Sequence, residues 1–314
     1  MKRKFIDFIH YIYFVLNYFF LKNSCSNVDN IPNSDVIILN KSEQKIDIPK
    51  IIWIFWYDGN IPELVQSCIN KIKKLHKNYE INILNKKNLS EYIDMNIDLL
   101  VEKMPIANLS DLIRLKLLKK YGGVWLDASI ILEEAIDAFF LEKNNRFDIV
   151  AYYNKSQSIG CNIPVIESWL LAAPKESDFI NKWLFYFQPI EVKGSKEFYH
   201  EWREHENFDE LSKGLGDPSY LLVYMAAKLA LDDLKNKSNI LLHCCDDSAF
   251  SIQILSKWRT RKCVTNFYIK NVPISSPIYK LTNGDRKYFP FLKKYSLINE
   301  KSIIGLLLKK DSNK

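Results

Sequence analysis

The chain of 314 residues predicts an α/β fold, a mostly parallel sheet flanked by helices, on three observations. Short apolar runs alternate with amphipathic stretches in β-α-β-α order, the pattern of a parallel sheet with helices on its faces. Ile51 to Trp56 is a near-continuous apolar run, as a strand buried on both faces requires. From Asn108 to Leu132 an apolar and basic helix stops at Gly122-Gly123, and the strand Val124-Trp125-Leu126 then ends in a carboxylate, Asp127. Carboxyl ends of strands are where open α/β sheets bind ligands.

The elements follow in order. Lys2-Arg3-Lys4 precedes Phe5 to Leu21, an aromatic helical stretch interrupted by Asp7, His10 and Asn17. It is too short and polar for a membrane span, and Lys22-Asn23-Ser24 lacks the small residues of a signal-cleavage site. Two readings stay open for it: an interfacial anchor on an anionic inner membrane face, or a helix packed on the domain. Neither implies export. Asn23 to Lys45 reads as a linker. After the strand at Ile51, Pro62 opens a helix running to about His76, and Glu80 to Leu84 is the next strand. Leu89 to Lys103 is helical until Pro105 breaks it, and Asn108 or Ser110 caps the following helix, with Leu109, Leu112, Ile113 and Leu117 as its core stripe. Phe147 to Tyr153 is a strand, and Val165 to Ala173 and Asp178 to Phe187 are read as helices. Gly194 to Gly216 reads as loop, Pro218 to Leu234 as helix and Ile240 to His243 as strand. Lys257 to Tyr268 has no clear form, and the tail after Lys287 ends in a short apolar helix. The expected organisation is a helix over 1–22, a linker over 23–45, one α/β domain over 46–287 and a helical tail over 288–314.

Hydrophobic residues at 47% suffice for a sizeable core. Lysine and arginine exceed acids by seven, and the pI is near 8.8. That balance suits a small anionic ligand or an anionic membrane face; the lysines are scattered and no nucleic-acid signature accompanies them, so no nucleic-acid partner is expected. The six cysteines show no metal-ligand spacing and read as reduced thiols of a cytoplasmic protein.

Chemistry concentrates in the Asn108–Leu132 run. Asp111 and Arg114 share a helix face by their three-residue separation, and the planar guanidinium can hold two oxygens at once. The segment resembles the Ser-Asp-x-x-Arg … Tyr-Gly-Gly-x-x-x-Asp signature of sugar-nucleotide glycosyltransferases of family 32, in particular its capsular polysaccharide synthesis branch. The likeness spans roughly residues 48 to 287. It is densest here, in Ile48 to Trp56 and in Ser276-Pro277-Ile278-Tyr279-Lys280-Leu281.

The resemblance implies a GT-A-like, Rossmann-related sheet and transfer of a sugar, with retention, from a UDP-linked or similar donor. The implied acceptor is a surface polysaccharide or its lipid-linked precursor. The candidate catalytic residues are then Asp127, Arg114, Asp111 and Glu167. By the same resemblance Asp111 and Arg114 grasp the donor sugar, Trp56 stacks on the base with Trp53 beside it, and Lys280 reaches the diphosphate. A bound Mn2+ or Mg2+ is expected on Asp127 to neutralise the leaving phosphate. Here the chain departs from the family: Asp127-Ala128-Ser129 stands where Asp-x-Asp is usual. Ser129 is a weaker ligand, and His243, Asp246 or Asp247 is considered to complete the set. Glu167 is placed at a helix start, where it could orient the acceptor. The competing reading is a non-catalytic binding or scaffold member of a polysaccharide assembly complex.

Overall fold

In the computed structural model, residues 2–25, 35–141, 146–271 and 276–312 are described, without the side chains of 2–7 and 310–312. The strands are β1 (Val36–Leu39), β2 (Ile51–Phe55), β3 (Glu80–Leu84), β4 (Gly123–Leu126), β5 (Ile130–Leu132), β6 (Ile149–Asn154), β7 (Val165–Ala173), β8 (Ile240–Cys244) and β9 (Ile278–Lys280). The first seven helices are α1 (Lys2–Leu21), α2 (Glu63–Leu75), α3 (Ile97–Lys103), α4 (Ile106–Tyr121), α5 (Ile136–Phe139), α6 (Asp178–Phe187) and α7 (Ile190–Arg203). The rest are α8 (Phe208–Ser212), α9 (Leu222–Leu234), α10 (Ser251–Leu255), α11 (Thr260–Tyr268), α12 (Asn283–Arg286), α13 (Phe289–Lys294) and α14 (Ile303–Ser312).

Seven strands form one sheet in the order β1-β8-β6-β7-β4-β2-β3, and β5 pairs with β9 in a separate ribbon. Strands β2, β3, β4, β6 and β8 run one way; β7 and β1 run against them. Side chains alternate across the pleat. Trp53, Phe55 and Trp125 therefore enter one core, with α4, α6 and α9. Ile52, Ile54, Val124 and Leu126 enter another, with α2 and β5. Both faces of the sheet are covered, which is why β2, β4 and β6 read as unbroken apolar runs.

A third core joins elements far apart in sequence. Phe14 of α1 is fully buried with Leu64, Ile131, Phe267, Phe289, Ile303 and Leu307. Tyr288 stands edge-on to His10 at 5.1 Å. The N-terminal helix thus packs on the domain, and so does the C-terminal tail. Its outer side remains apolar: Phe8, Ile12, Leu16, Phe19 and Phe20 are exposed. No described helix is long and apolar enough to cross a membrane.

Several expectations are corrected. Val165 to Ala173 is a strand, buried at every position, not a helix. A strand covered on both faces has no polar side to display a two-residue period, so Leu170 to Ala173 imitates helix. Within 23–45, the described part contains an edge strand, β1, paired antiparallel with β8. Leu89–Glu91 is a single 3-10 turn, with α3 separate from it. Helix α4 begins directly after Pro105, so Asn108 and Ser110 lie inside it rather than capping it. Much of Gly194 to Gly216 is helical, in α7 and α8, and Lys257 to Tyr268 contains α11. All six cysteines are described, and none forms a disulfide.

Candidate functional site

A cavity of about 530 Å³ opens at the carboxyl ends of β2 and β4. Its walls include Trp56, Asp111, Arg114, Asp127, Ser129, Glu167 and Lys280. Seven of the nine residues expected to act, from five separate stretches of chain, thus meet on one concavity.

Local structure explains each placement. Helix α4 ends with Gly122 at φ 67° and Gly123 at φ 94°. A Cβ on Gly122 would lie 2.5 Å from the Lys175 nitrogen, and one on Gly123 would lie 2.6 Å from the Ile51 oxygen. Only glycine meets both the positive φ and the close approach. The chain reverses there into β4, which ends at the cavity, and Asp127 accepts from Trp125 Nε1 at 3.0 Å. β5 follows a tight turn and pairs with β9 in a register that sets Ile130 against Lys280. That pairing carries the lysine across 153 residues of sequence to the carboxylate, with Lys280 Nζ 2.5 Å from Asp127 Oδ2 and 3.3 Å from Ser129 Oγ.

Arg114 is the hub of the opposite wall. Its guanidinium lies 2.8 Å from Asp111 Oδ1 and 3.3 Å from Asp127 Oδ1, donates to Ser168 Oγ and stacks 4.9 Å over the Trp125 ring. β7 runs antiparallel to β4, so its early residues lie at the carboxyl end of the parallel strands. Ala151 pairs with Leu171 and Tyr152 with Glu167, leaving Ser168, Trp169 and Leu170 as an irregularity on β7. Bulges of this kind re-aim side chains beside binding sites; Glu167, Ser168 and Trp169 all reach the cavity. Glu167 is therefore a strand residue, not a helix-terminal acid. It accepts from Tyr224 OH at 2.8 Å and Asn154 Nδ2 at 3.0 Å.

The electrostatics differ sharply among the carboxylates. Burial works to raise Asp127, but the charges of Lys280 and Arg114 and hydrogen bonds from Lys280 and Trp125 bring it down to about 2. Burial raises Asp111 to about 6, against the pull of Arg114 and helped by repulsion from Asp127. Burial also raises Glu167. For Lys280 burial lowers the pKa, and Asp127 opposes it.

Two expected residues lie elsewhere. Trp53 is core: it is 1% exposed, donates to the Gly122 carbonyl at 2.9 Å and packs against Tyr92 and Tyr121. It lies two residues back from the carboxyl end of β2, under Tyr92 and Tyr121, whereas Trp56 follows the strand and reaches the cavity. His243 also lies outside the cavity lining, held by the Phe140 carbonyl at 3.0 Å, and burial lowers its pKa. Asp246 accepts from the Ser156 amide, and neither it nor Asp247 reaches the cavity wall.

The donor set does not fit a divalent cation held in the expected way. Ser129 Oγ donates to the Leu281 carbonyl at 3.0 Å, and the Lys280 ammonium stands between Asp127 and Ser129. No group of three or more His, Cys, Asp or Glu suited to a metal occurs among the described residues.

The sequence reading missed Arg286, Tyr220, Tyr224 and Ser168, all on the cavity wall. Arg286 closes α12, whose capping box of Thr282 and Asp285 is a legible helix start; that signal could have drawn attention to it. Its guanidinium lies 5.6 Å from the Trp56 ring centre and bonds to Asn283 Oδ1.

Comparison with known proteins gives consistent names. The chain is 22% identical over 182 residues to O-glycosyltransferase braB of Annulohypoxylon truncatum, covering 52% of this chain and 42% of that protein. It is 29% identical over 132 residues to inositol phosphoceramide mannosyltransferase 3 of Schizosaccharomyces pombe, covering 40% and 34%. It is 26% identical over 158 residues to glycosyltransferase afumC of Aspergillus fumigatus, covering 44% and 40%. The chain thus spans less than half the length of the curated relatives it matches. A solved structure, PaToxG Glycosyltransferase, aligns over 98% of this chain and 98% of its own at 15% identity, with a TM-score of 0.40. The family profile described as capsular polysaccharide synthesis protein matches residues 14–188, more than half of the chain, and the protein belongs to that family.

Proposed function

We propose that the protein is a glycosyltransferase that moves a sugar from a nucleotide-diphosphate-sugar donor, UDP-linked in the simplest case, to a surface polysaccharide or its lipid-linked precursor. The observation that carries this reading is the convergence of Asp111, Arg114, Asp127 and Lys280 on one cavity at the carboxyl ends of parallel strands. Family membership and the names of the relatives support it, and one relative is named for mannosyl transfer with an inositol phosphoceramide lipid.

In this reading Asp111 and the forked Arg114 take hydroxyls of the donor sugar. The Trp56 ring takes the base, a contact worth roughly 1–3 kcal/mol. Glu167 orients the acceptor hydroxyl. The hydroxyl oxygen bonds to the anomeric carbon as the bond from that carbon to the β-phosphate oxygen breaks. The electron pair leaves with the diphosphate, and the hydroxyl proton passes to the departing phosphate oxygen. Retention of configuration is proposed from the family resemblance alone. A lipid-linked acceptor also fits peripheral attachment to an anionic inner membrane face through α1.

The test is a panel of nucleotide-sugars followed by melting temperature and by release of free nucleotide. A donor at a hundredfold over its Kd should stabilise the fold by about 2.7 kcal/mol. A shift specific to one base and one sugar, with slow nucleotide release, is expected. Stabilisation without release under any acceptor would favour a binding or scaffold role. No shift with any nucleotide-sugar would sink the donor reading.

A further inference from the structure

In glycosyl transfer from a nucleotide-sugar, something must neutralise the negative charge that grows on the departing diphosphate. A divalent cation on the Asp-x-Asp pair is one solution, but this chain has filled that position with its own side chain. We infer that Lys280, with Arg286 beside it, replaces the divalent cation, making the protein a metal-independent transferase. The inference rests on the donor reading above and extends it to the leaving-group side of the same cavity.

Three observations carry it. First, the Lys280 ammonium lies 2.5 Å from Asp127 Oδ2 and 3.3 Å from Ser129 Oγ, so it bridges the two motif positions that would otherwise hold a metal. A cation at Asp127 would have to expel an ammonium whose backbone is fixed on both sides: Lys280 N donates to the Ala249 carbonyl at 2.9 Å, and its own carbonyl accepts from Gln253 Nε2 at 2.8 Å. Second, the serine that replaces the second acid complements this arrangement. Its hydroxyl proton points to the Leu281 carbonyl, which leaves the oxygen lone pairs for the ammonium. An aspartate there would add a negative charge suited to a doubly charged ion; serine suits a single one. Third, one cation of the cavity wall is not engaged by a carboxylate. Arg286 bonds to the neutral Asn283 and lies over Trp56, but forms no ion pair among the described residues. It stands on α12, which follows the strand of Lys280 by two residues and is anchored by the Thr282–Asp285 capping box.

Asp127 then acts as a positioning residue. It holds Lys280 charged and aimed, together with Arg114, rather than ligating an ion. When the bond between the anomeric carbon and the β-phosphate oxygen breaks, the pair of electrons moves onto an oxygen that Lys280 and Arg286 can reach as hydrogen-bond donors. No other co-reactant is needed.

Calorimetric titration with UDP in excess EDTA, and again in Mn2+, tests this on the full chain. Equal affinity in both media is expected. Lys280→Met should weaken UDP in EDTA roughly ten- to hundredfold, the equivalent of one lost charge-assisted hydrogen bond, and Lys280→Arg should recover most of it. Manganese alone, titrated into protein and followed by the electron-spin signal of the free ion, should remain unbound. UDP binding that EDTA abolishes in the wild type would overturn the inference and leave the donor reading intact, and this needs no variant to fold. Unchanged affinity in Lys280→Met would also overturn it. If UDP fails to bind in either medium while another nucleoside diphosphate does, the same titrations apply to that nucleotide; if none binds, both readings fall.

Discussion

Asp111 and Asp127 lie on the same Arg114, yet their carboxyl groups are held at opposite ends of the acid range, near 6 and near 2. The difference comes from partners: Asp127 has two cations and an indole donor, whereas Asp111 shares one cation and is more deeply buried. The linkage signs follow. The depressed Asp127 contributes stability that is present above its ordinary 3.8 and lost as pH falls towards 2. The raised Asp111 works the other way: stability is fully present below 3.8 and lost as pH rises through about 6. The ionised form therefore costs on the order of 3 kcal/mol at neutral pH. Ionised Asp111 is also the form that pairs with Arg114 and, on the donor reading proposed above, would accept from a sugar hydroxyl. Two outcomes are expected. Donor affinity should fall as pH drops through about 6. The melting temperature of Asp111→Asn relative to wild type should decline between pH 7 and pH 5, because the wild type is relieved of its charge over that range. A pH-independent difference would show that Asp111 does not titrate there. Glu167 and Asp148 are raised as well, so the variant-minus-wild-type difference, not the raw curve, isolates Asp111.

Helix α1 packs on the domain through one side and leaves its other side exposed. His10, Phe14, Tyr18 and Leu21 recur every three or four residues; Phe14 enters the third core, with Tyr18 and Leu21 packed against it and His10 against Tyr288. Phe8, Ile12, Leu16, Phe19 and Phe20 occupy the other side and stay exposed, Phe20 at 78%. In the peripheral attachment proposed above, this helix, opening with Lys2-Arg3-Lys4 and followed by Lys22, would lay its exposed apolar side on an anionic bilayer surface. Each large apolar side chain transferred from water contributes roughly 1.5–3 kcal/mol. Replacing Phe8, Leu16 and Phe19 by serine should therefore abolish co-sedimentation with phosphatidylserine vesicles while leaving the melting temperature nearly unchanged. Persistent vesicle binding would place any membrane contact elsewhere. The seam-facing residues are not suited to this test, since removing Phe14 would open the core.

At the scale of the molecule, the third core makes the two ends of the chain part of one body with the sheet. A chain cut to residues 46–287 would lose edge strand β1 and the buried Phe14, Phe289, Leu292, Ile303, Ile304 and Leu307. At roughly 1.5–3 kcal/mol for each side chain, these together are comparable with the whole net stability of a domain, about 5–15 kcal/mol. The shortened chain should lose its cooperative thermal transition, checked by calorimetry, while the full chain keeps it. A normal transition would show that the third core is dispensable. Along the chain, the strands at Ile51, Glu80, Phe147 and Ile240 and the helix–Gly-Gly–strand passage to Asp127 were legible, because each joins a local apolar period to a local turn signal. Asp111, Arg114 and Asp127 were legible for the same reason: their relationship is set within twenty residues by helix geometry and two glycines. What the linear pattern hid was whatever depends on a distant partner. Val165 to Ala173 became a strand only because sheet neighbours cover both its faces. Trp53 and Trp56 were separated by how far each stands from the carboxyl end of β2, where the cavity opens, and Lys280 reached Asp127 through the register of β9 against β5. Local backbone preference travels with the sequence, but burial, pairing register and the charge of a neighbour exist only once remote segments are brought together.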